Sequence, residues 1–404
     1  MMRFVPPEVV TPPPGNPRFP LLDPLRAIAA LFVVLTHTTQ LGGFNAGELL
    51  GAWTARMDSG VAIFFVLSAF LLYRPFVRAR LDGHPPVKVW RYARRRALRI
   101  LPAYWVAVVA LGLLDPDHNP GLFGDQWWVY WGLLQSWSED TIINGIGVAW
   151  SLSVEAAFYV LLPLYAGLMA RLLGKRDRDA QAKGELLILA GTAVLALAVR
   201  AIVVAIDPHG VFGNQLPGTW LWFTGGLVLA VASAWGVQSR PVRFATEHAL
   251  VCWGLAFACL TLSAWAIGMP RDPFSPDISN LSLQLKHVLY AGMAFFLVAP
   301  MVFHDGRRSL PAMLLSTRVL AWLGLVSYGI FLYHQPFVFA FLDTRVWPPV
   351  AGMVLYTALV IAAATACAAA SYYLVERPLL RFKEPTGGAR TRTRAQAVAA
   401  KPES

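Results

Sequence analysis

The sequence predicts an all-α fold: a polytopic membrane helix bundle of about ten transmembrane helices, with both termini cytoplasmic. Three observations carry that expectation. Hydrophobic residues make up 56% of the 404 residues and charged residues only 14%, which leaves too little polar surface for a water-soluble domain of this length. The apolar residues come in long blocks rather than at an amphipathic period, as bilayer-spanning helices do. The basic residues gather between alternate blocks, as they do when positive loops stay on the inner side of a membrane.

The blocks place ten spans at about 21–42, 59–80, 97–115, 147–171, 185–206, 217–237, 244–267, 283–303, 319–341 and 350–375. With the N-terminus inside, the inner segments hold 24 lysines and arginines: seven in 80–99, five in 171–183, Arg240 and Arg243, three in 307–318 and seven in 377–401. The outer segments hold four: Arg56, Arg271, Lys286 and Arg345. The net charge of +11 is therefore topological, and no nucleic-acid partner is expected. The expected partner is the lipid bilayer, and the expected location is the plasma membrane, crossed many times.

Cys252, Cys259 and Cys367 all sit inside apolar blocks, so neither disulfides nor a metal site is expected. The first 20 residues are proline-rich, with no apolar core to make a signal peptide. VTPPPGNPRFP at the front and KEPTGGARTRTRAQAVAAKPES at the end have no apolar face to bury. They read as disordered cytoplasmic tails, 1–18 and 383–404, around one membrane domain at 19–382. The longest outer segment, Asp115 to Gly147, carries Asp117, Asp125, Glu139 and Asp140 and no arginine or lysine. Its aromatic stretch QWWVYWGLLQSW is expected to form an interfacial helix.

Four stretches carry candidate chemistry. In RAIAALFVVLTHTT, Arg26 and His37 stand eleven residues apart with only apolar residues between them until Thr36. Eleven steps make three turns plus about 20°, so both lie on one face, roughly 16 Å apart along the axis. An arginine or histidine facing lipid is costly, so this face must look into the bundle or a wet cavity. A snorkelling arginine and a histidine bonded to a neighbour would give the same pattern. RYARRRALRILPAYW holds Arg91, Arg94, Arg95, Arg96 and Arg99 at the inner surface. Guanidinium forks bind phosphate bidentately, and such clusters also serve as plain topology anchors.

In AWSLSVEAAFYVLLPLY, Glu155 has Ser151 and Tyr159 one turn to either side on the same face. A buried acid in a membrane needs a partner, whether for catalysis or as a staple between helices. In LVSYGIFLYHQPFV, Tyr328 and His334 share a span, and Pro336 is expected to loosen the helix beside His334. The remaining histidines, His84, His118, His209, His248, His287 and His304, lie in loops or at span ends and read as solvated. No glycine-rich phosphate loop and no G-x-S-x-G elbow is present in the sequence.

Six stretches in order, FPLLDPLRAIAALFVVLTH, SGVAIFFVLSAFLLYRPF, RRRALRILPAYW, WSLSVEAAFY, SYGIFLYHQPF and VERPLLRF, resemble the acyltransferase-3 family of integral membrane O-acyltransferases. The resemblance runs from about Phe19 to Phe382. It implies transfer of an acyl group, commonly acetyl from acetyl-CoA, to a hydroxyl of a glycan, lipid or small metabolite. Acyl-CoA would be the donor substrate, and no cofactor is implied. Arg26 and His37 would be the family's arginine–ten residues–histidine signature, with His37 as base or acyl carrier. Arg94, Arg96 and Arg99, with Arg26, would hold the donor. Glu155 would be the first acid of the family's paired-acid stretch and would orient His37, with Ser151, Tyr159, Tyr328 and His334 in support. The second acid is Ala156 here, which removes any role that position has elsewhere.

Some family members carry a fused extracytoplasmic hydrolase-like domain; none is expected here, 28 residues after Glu376. The expected acceptor is a cell-envelope glycan or another carbohydrate-containing molecule, including a glycolipid. Two alternatives stand beside it: acylation of a macrolide-like secondary metabolite, and a transporter or flippase with no chemistry of its own. A transporter of this kind would show inverted repeats with matching broken helices, and the sequence shows none.

Overall fold

The computed structural model describes residues 19–44, 49–114, 120–208, 210–267, 279–342 and 349–381. The two tails assigned to 1–18 and 383–404 lie outside the described residues, as do His118, His209, Arg271 and Arg345. Among the described residues every regular element is helical. The helices are α1 (Leu22–Leu41), α2 (Leu49–Thr54), α3 (Gly60–Leu81), α4 (Val89–Leu114), α5 (Trp127–Trp131), α6 (Trp150–Leu173), α7 (Arg178–Ile206) and α8 (Leu216–Trp235). The chain continues through α9 (Arg240–Glu247), α10 (Ala249–Trp265), α11 (Asn280–Val302), α12 (Leu310–Leu315), α13 (Arg318–Ala340), α14 (Pro349–Ser371) and α15 (Arg377–Leu380), with a π-helical turn at Tyr372–Glu376.

Each of the ten expected spans contains a helix. Eight of the described helices are long and apolar enough to cross a membrane: those built on α3, α4, α6, α7, α8, α11, α13 and α14. A ninth arises if α9 and α10, bent by 93° at His248, count as one span. Helix α1 is not among them. Its 20 residues carry Asp23, Arg26 and His37, so its polar content belongs to the interior of the bundle and not to lipid.

Helix α3 is the central helix. It packs against α8, α1 and α11, while α1 packs against α13, and α13 against α14. Helix α7 lies at the rim, where Leu187, Val194, Leu195 and Ile202 are exposed, an apolar surface suited to acyl chains. Small residues let the helix backbones meet. A Cβ at Gly324 would lie 2.0 Å from the Asp23 carbonyl oxygen, so α13 can sit on α1 only with glycine there. Gly226 does the same for α8 on α3, where a Cβ would stand 2.2 Å from the Val66 oxygen.

Three charged groups expected in loops are tied into the bundle. Arg80 pairs with the fully buried Glu185 of α7, which also accepts from the Tyr73 hydroxyl, and Arg80 Nε donates to Gln181 at 3.1 Å. Arg56 is 2% exposed and donates from Nε to the Ser263 carbonyl at 3.2 Å. Lys286 pairs with Asp58 at 2.8 Å. The aromatic stretch 126–137 is not one helix. Leu133 takes a left-handed φ of 56°, which ends α5 and leaves Gln135–Trp137 as a separate 3-10 turn. The piece is pinned to α4 by the Tyr104 hydroxyl donating to the Tyr130 carbonyl at 2.5 Å.

Packing at Gly324 gives a direct test. We expect Gly324→Val to destabilise the detergent-solubilised protein by about 1–3 kcal/mol or more, because backbone cannot yield as a side chain can. Gly254→Val, where a Cβ meets nothing within 4 Å, serves as the control. Melting of Gly324→Val within about 2 °C of wild type would refute the close approach of α1 and α13.

Candidate active site

Two cavities lie along one face of α1. The first, of about 90 Å³, is lined by Arg26, Arg96, Arg99, Glu155, Tyr159 and Tyr328, with Ser68, Ser151 and Ser327. It lies toward the end of the bundle where α1 and α13 begin and where α4 carries its arginines. The second, of about 180 Å³, lies toward the other end and is lined by His37, Asp58, Arg200, Lys286, His287 and Trp222. Val61 and Phe331 line both, so the two cavities meet at these residues. The eleven-residue spacing on α1 thus sets Arg26 in the first cavity and His37 in the second.

The first cavity gathers most of the residues singled out in the sequence. Arg26 NH1 pairs with Asp23 at 3.2 Å on its own helix, and Arg99 pairs with Glu376 of the π-helical turn at 3.4 Å. Arg96 Nε is buried with no hydrogen-bond partner. Arg94 does not line the cavity. Two residues advance a helix by about 200°, so Arg94 and Arg96 point to opposite sides, and the expected R-x-R pair is one cavity arginine and one half-exposed surface arginine. Ser68 donates a short hydrogen bond to Glu155. Tyr328 donates to the Ile100 carbonyl at 3.0 Å, and Ser151 to the Val148 carbonyl at 3.1 Å.

His37 has a different partner from the one expected. Glu155 belongs to the first cavity with Ser68, and His37 Nδ1 lies 2.9 Å from His334 Nε2. The two rings stack with centroids 5.1 Å apart. His334 is fully buried, and its Nδ1 lies 2.7 Å from the Phe331 carbonyl. These contacts fix the protons. A carbonyl only accepts, so His334 Nδ1 carries its hydrogen and donates to Phe331. His334 Nε2 in the neutral ring is then an acceptor, and His37 Nδ1 donates to it. The lone pair of His37 is left on Nε2. The helix stays continuous from Arg318 to Ala340 despite Pro336, so His334 is held by a regular turn.

The sequence reading missed the rest of the second cavity. His287 was expected in solvent, yet it is 2% exposed and stacks on Trp222 with centroids 4.7 Å apart. Asp58 accepts from Lys286 and from the Tyr290 hydroxyl. Arg200 is 9% exposed and donates to the Gly213 and Gly218 carbonyls at 2.9 and 3.1 Å. The available signal was an ionisable residue inside or at the edge of an apolar block, which Arg200, Lys286 and Asp58 all are.

Comparison with known proteins places this geometry. The acyltransferase domain of the acyltransferase-3 family matches residues 20–373. The chain belongs to this family of membrane acyltransferases. Among its relatives is the peptidoglycan O-acetyltransferase OatA of Listeria monocytogenes, 24% identical over 382 residues, covering 89% of this chain and 55% of that protein. YrhL of Bacillus subtilis, named provisionally as a peptidoglycan O-acetyltransferase, is 26% identical over 376 residues, covering 89% of this chain and 54% of its own length. The acyltransferase MdmB of Streptomyces mycarofaciens is 33% identical over 174 residues, 41% of this chain and 43% of its own. The chain spans about half the length of the curated relatives it matches. No solved structure matches the chain.

The meeting point of the cavities can be probed in sealed vesicles. A cysteine replacing Leu71 in the first cavity should react with a membrane-impermeant thiol reagent only from the arginine-rich side, and one replacing Leu283 in the second only from the opposite side. Phe331→Ala should let both react from either side. Reaction of both single cysteines from the same side with Phe331 intact would show one continuous cavity instead.

Proposed function

We propose that this chain is a membrane O-acyltransferase that moves an acyl group, acetyl in the first instance, from acyl-CoA to a hydroxyl of a cell-envelope glycan or another carbohydrate-containing acceptor. The observation that carries this reading is the pair of cavities meeting at Val61 and Phe331, arginines in one and an oriented histidine in the other. By the positive-inside rule the arginine-rich end is cytoplasmic. Coenzyme A is polyanionic and cytoplasmic, and the cavity with Arg26, Arg96 and Arg99 suits its phosphates. The free Nε of Arg96 is a donor in want of an acceptor. Glu155 offsets part of the arginine charge while the cavity is empty, and Ser68 holds that carboxylate in place.

The acyl thioester then meets His37 past Val61 and Phe331. An alcohol attacks a thioester poorly until a base takes its proton, and a lone pair on His37 Nε2 suits that task. The hydroxyl proton passes to Nε2, the oxygen adds to the thioester carbonyl, the C–S bond breaks, and the CoA thiolate leaves with a proton from the imidazolium. In the two-step variant Nε2 takes the acyl group first and yields it to the alcohol. Nε2 reacts in both. A glycan acceptor fits the peptidoglycan O-acetyltransferases among the relatives.

A histidine series tests the chemistry. His37→Ala should lower acetyl-CoA-dependent transfer by about 10²–10⁴-fold in protein that still folds and inserts. His334→Ala should lower turnover by about 10–100-fold with the donor KM unchanged, since a partner that only orients a reacting ring acts on this scale. His334→Gln, whose Oε1 can accept from His37 Nδ1, should recover part of that loss. Transfer by His37→Ala within about threefold of wild type would end the proposal.

The arginines should behave differently. Arg96→Ala with Arg99→Ala should weaken acyl-CoA binding by about tenfold or more, as loss of charge-assisted bonds to phosphate does. Arg→Lys at both positions should restore binding only in part, since ammonium lacks the bidentate fork. Unchanged affinity with normal expression would return both residues to a topological role.

A further inference from the structure

The second cavity holds a charge that no carboxylate among the described residues balances. Its acid, Asp58, is taken by Lys286 at 2.8 Å and by the Tyr290 hydroxyl. Arg200 is 9% exposed and lines the same cavity, and among the described residues its hydrogen-bond partners are the Gly213 and Gly218 carbonyls. Its Nε is buried with no partner, and no carboxylate among the described residues lies in ion-pair distance of its guanidinium. Neutral carbonyls satisfy two of its donor bonds and none of its charge. A buried, uncompensated guanidinium is costly unless an anion meets it.

Two further features show that the cavity is built for a ligand. His287 is 2% exposed, and its Nδ1 is a second buried polar atom without a partner. The indole of Trp222 stacks on that ring and donates from Nε1 to the His287 carbonyl at 3.0 Å, which fixes the aromatic wall. A flat aromatic wall with a few convergent polar groups is the make-up of a site for a small polar ring.

We propose that this cavity is the acceptor subsite and that it selects a sugar bearing an anionic group, a carboxylate or a phosphate, beside the reacting hydroxyl. This rests on the acyltransferase reading above. Arg200 meets the anion, Trp222 and His287 line the ring, and His37 meets the hydroxyl at the other side of the cavity. A neutral acceptor would leave Arg200 unbalanced and would bind less well.

The charge of the cavity can be read without any acyl donor. Asn214 lines it and is exposed, so Asn214→Cys, in a chain with Cys252→Ala, Cys259→Ala and Cys367→Ala, reports on small reagents that enter. Anionic sulfonatoethyl and cationic trimethylammonioethyl methanethiosulfonates are then compared, each relative to its rate with a free thiol in solution. We expect the anionic reagent to be favoured by about tenfold or more, the range of electrostatic steering into a charged cleft. Arg200→Lys should keep the preference and Arg200→Gln should abolish it. Glucuronic acid and glucose 6-phosphate should slow labelling at concentrations where glucose does not, and the stronger of the two identifies carboxylate or phosphate.

Equal rates for the two reagents, a preference that survives Arg200→Gln, or protection by glucose equal to that by the acids would each overturn the inference. The first and third of these need no Arg200 variant, so poor folding of Arg200→Gln does not remove the test. Anion selection with no acyl transfer would count against the acyltransferase proposal alone.

Discussion

A charge inside an apolar bundle must find a partner or water, because the surroundings offer neither hydrogen bonds nor screening. That constraint organises this chain. Lys286 is answered by Asp58, Arg80 by Glu185, Arg99 by Glu376 and Arg26 by Asp23. Three of these pairs join separate elements, and Arg26 with Asp23 lies within α1. Arg74, 7% exposed, is met by the Ser233 hydroxyl at 2.8 Å and by the Phe19 ring, and two further arginines stand apart. Arg96 and Arg200 each keep a buried Nε without a partner, and each lines a cavity. The two cavities meet at Val61 and Phe331, so the two unmet donors lie on either side of that meeting point.

The fold was legible because its signal is local. Each apolar block becomes a helix regardless of its neighbours, so ten expected spans could be read from the chain alone. Helix α1 shows where that signal weakens. It falls short of a membrane-crossing composition because its polar residues face the interior, and the hydropathy of a block does not record which way its residues face. The pairing of Arg26 with His37 was legible for the same reason that the fold was, since both lie on one helix and helix geometry relates them. The opposition of Arg94 and Arg96 was legible too, had the 200° between them been weighed against the R-x-R pattern.

Contacts between helices were not legible. Glu155 bonds Ser68, 87 residues away, and His37 bonds His334, 297 residues away. No periodicity within a helix relates such positions; only the packing of α3 on α6 and of α1 on α13 does. His287 was read as solvated because it stood near the end of the expected span, and Lys286 was counted with the outer segment. The helix starts at Asn280 instead, with Ser279 capping it, which moves both residues onto its second turn. There one ring stacks on Trp222 and one ammonium reaches Asp58.

The histidine pair gives His37 a neutral hydrogen-bond partner, while the carboxylate of Asp58 lines the same cavity and is taken by Lys286 and Tyr290. A carboxylate partner would hold the imidazolium and resist giving the proton back, and it would itself need a countercharge in a region short of water. A neutral histidine accepts the Nδ1 hydrogen and adds no net charge in the resting state. The direction of the pair is set by the Phe331 carbonyl, which has no proton to give. The chain of bonds therefore runs one way, from His37 through His334 to the backbone of α13, and ends with a lone pair on the ring that faces the cavity. Phe331 thus enters the site twice: its side chain lines both cavities, and its carbonyl, through His334, leaves the lone pair of His37 on Nε2. Both contacts come from one turn of α13, so a shift of that turn would alter the meeting point of the cavities and the hydrogen bond that orients His37 together.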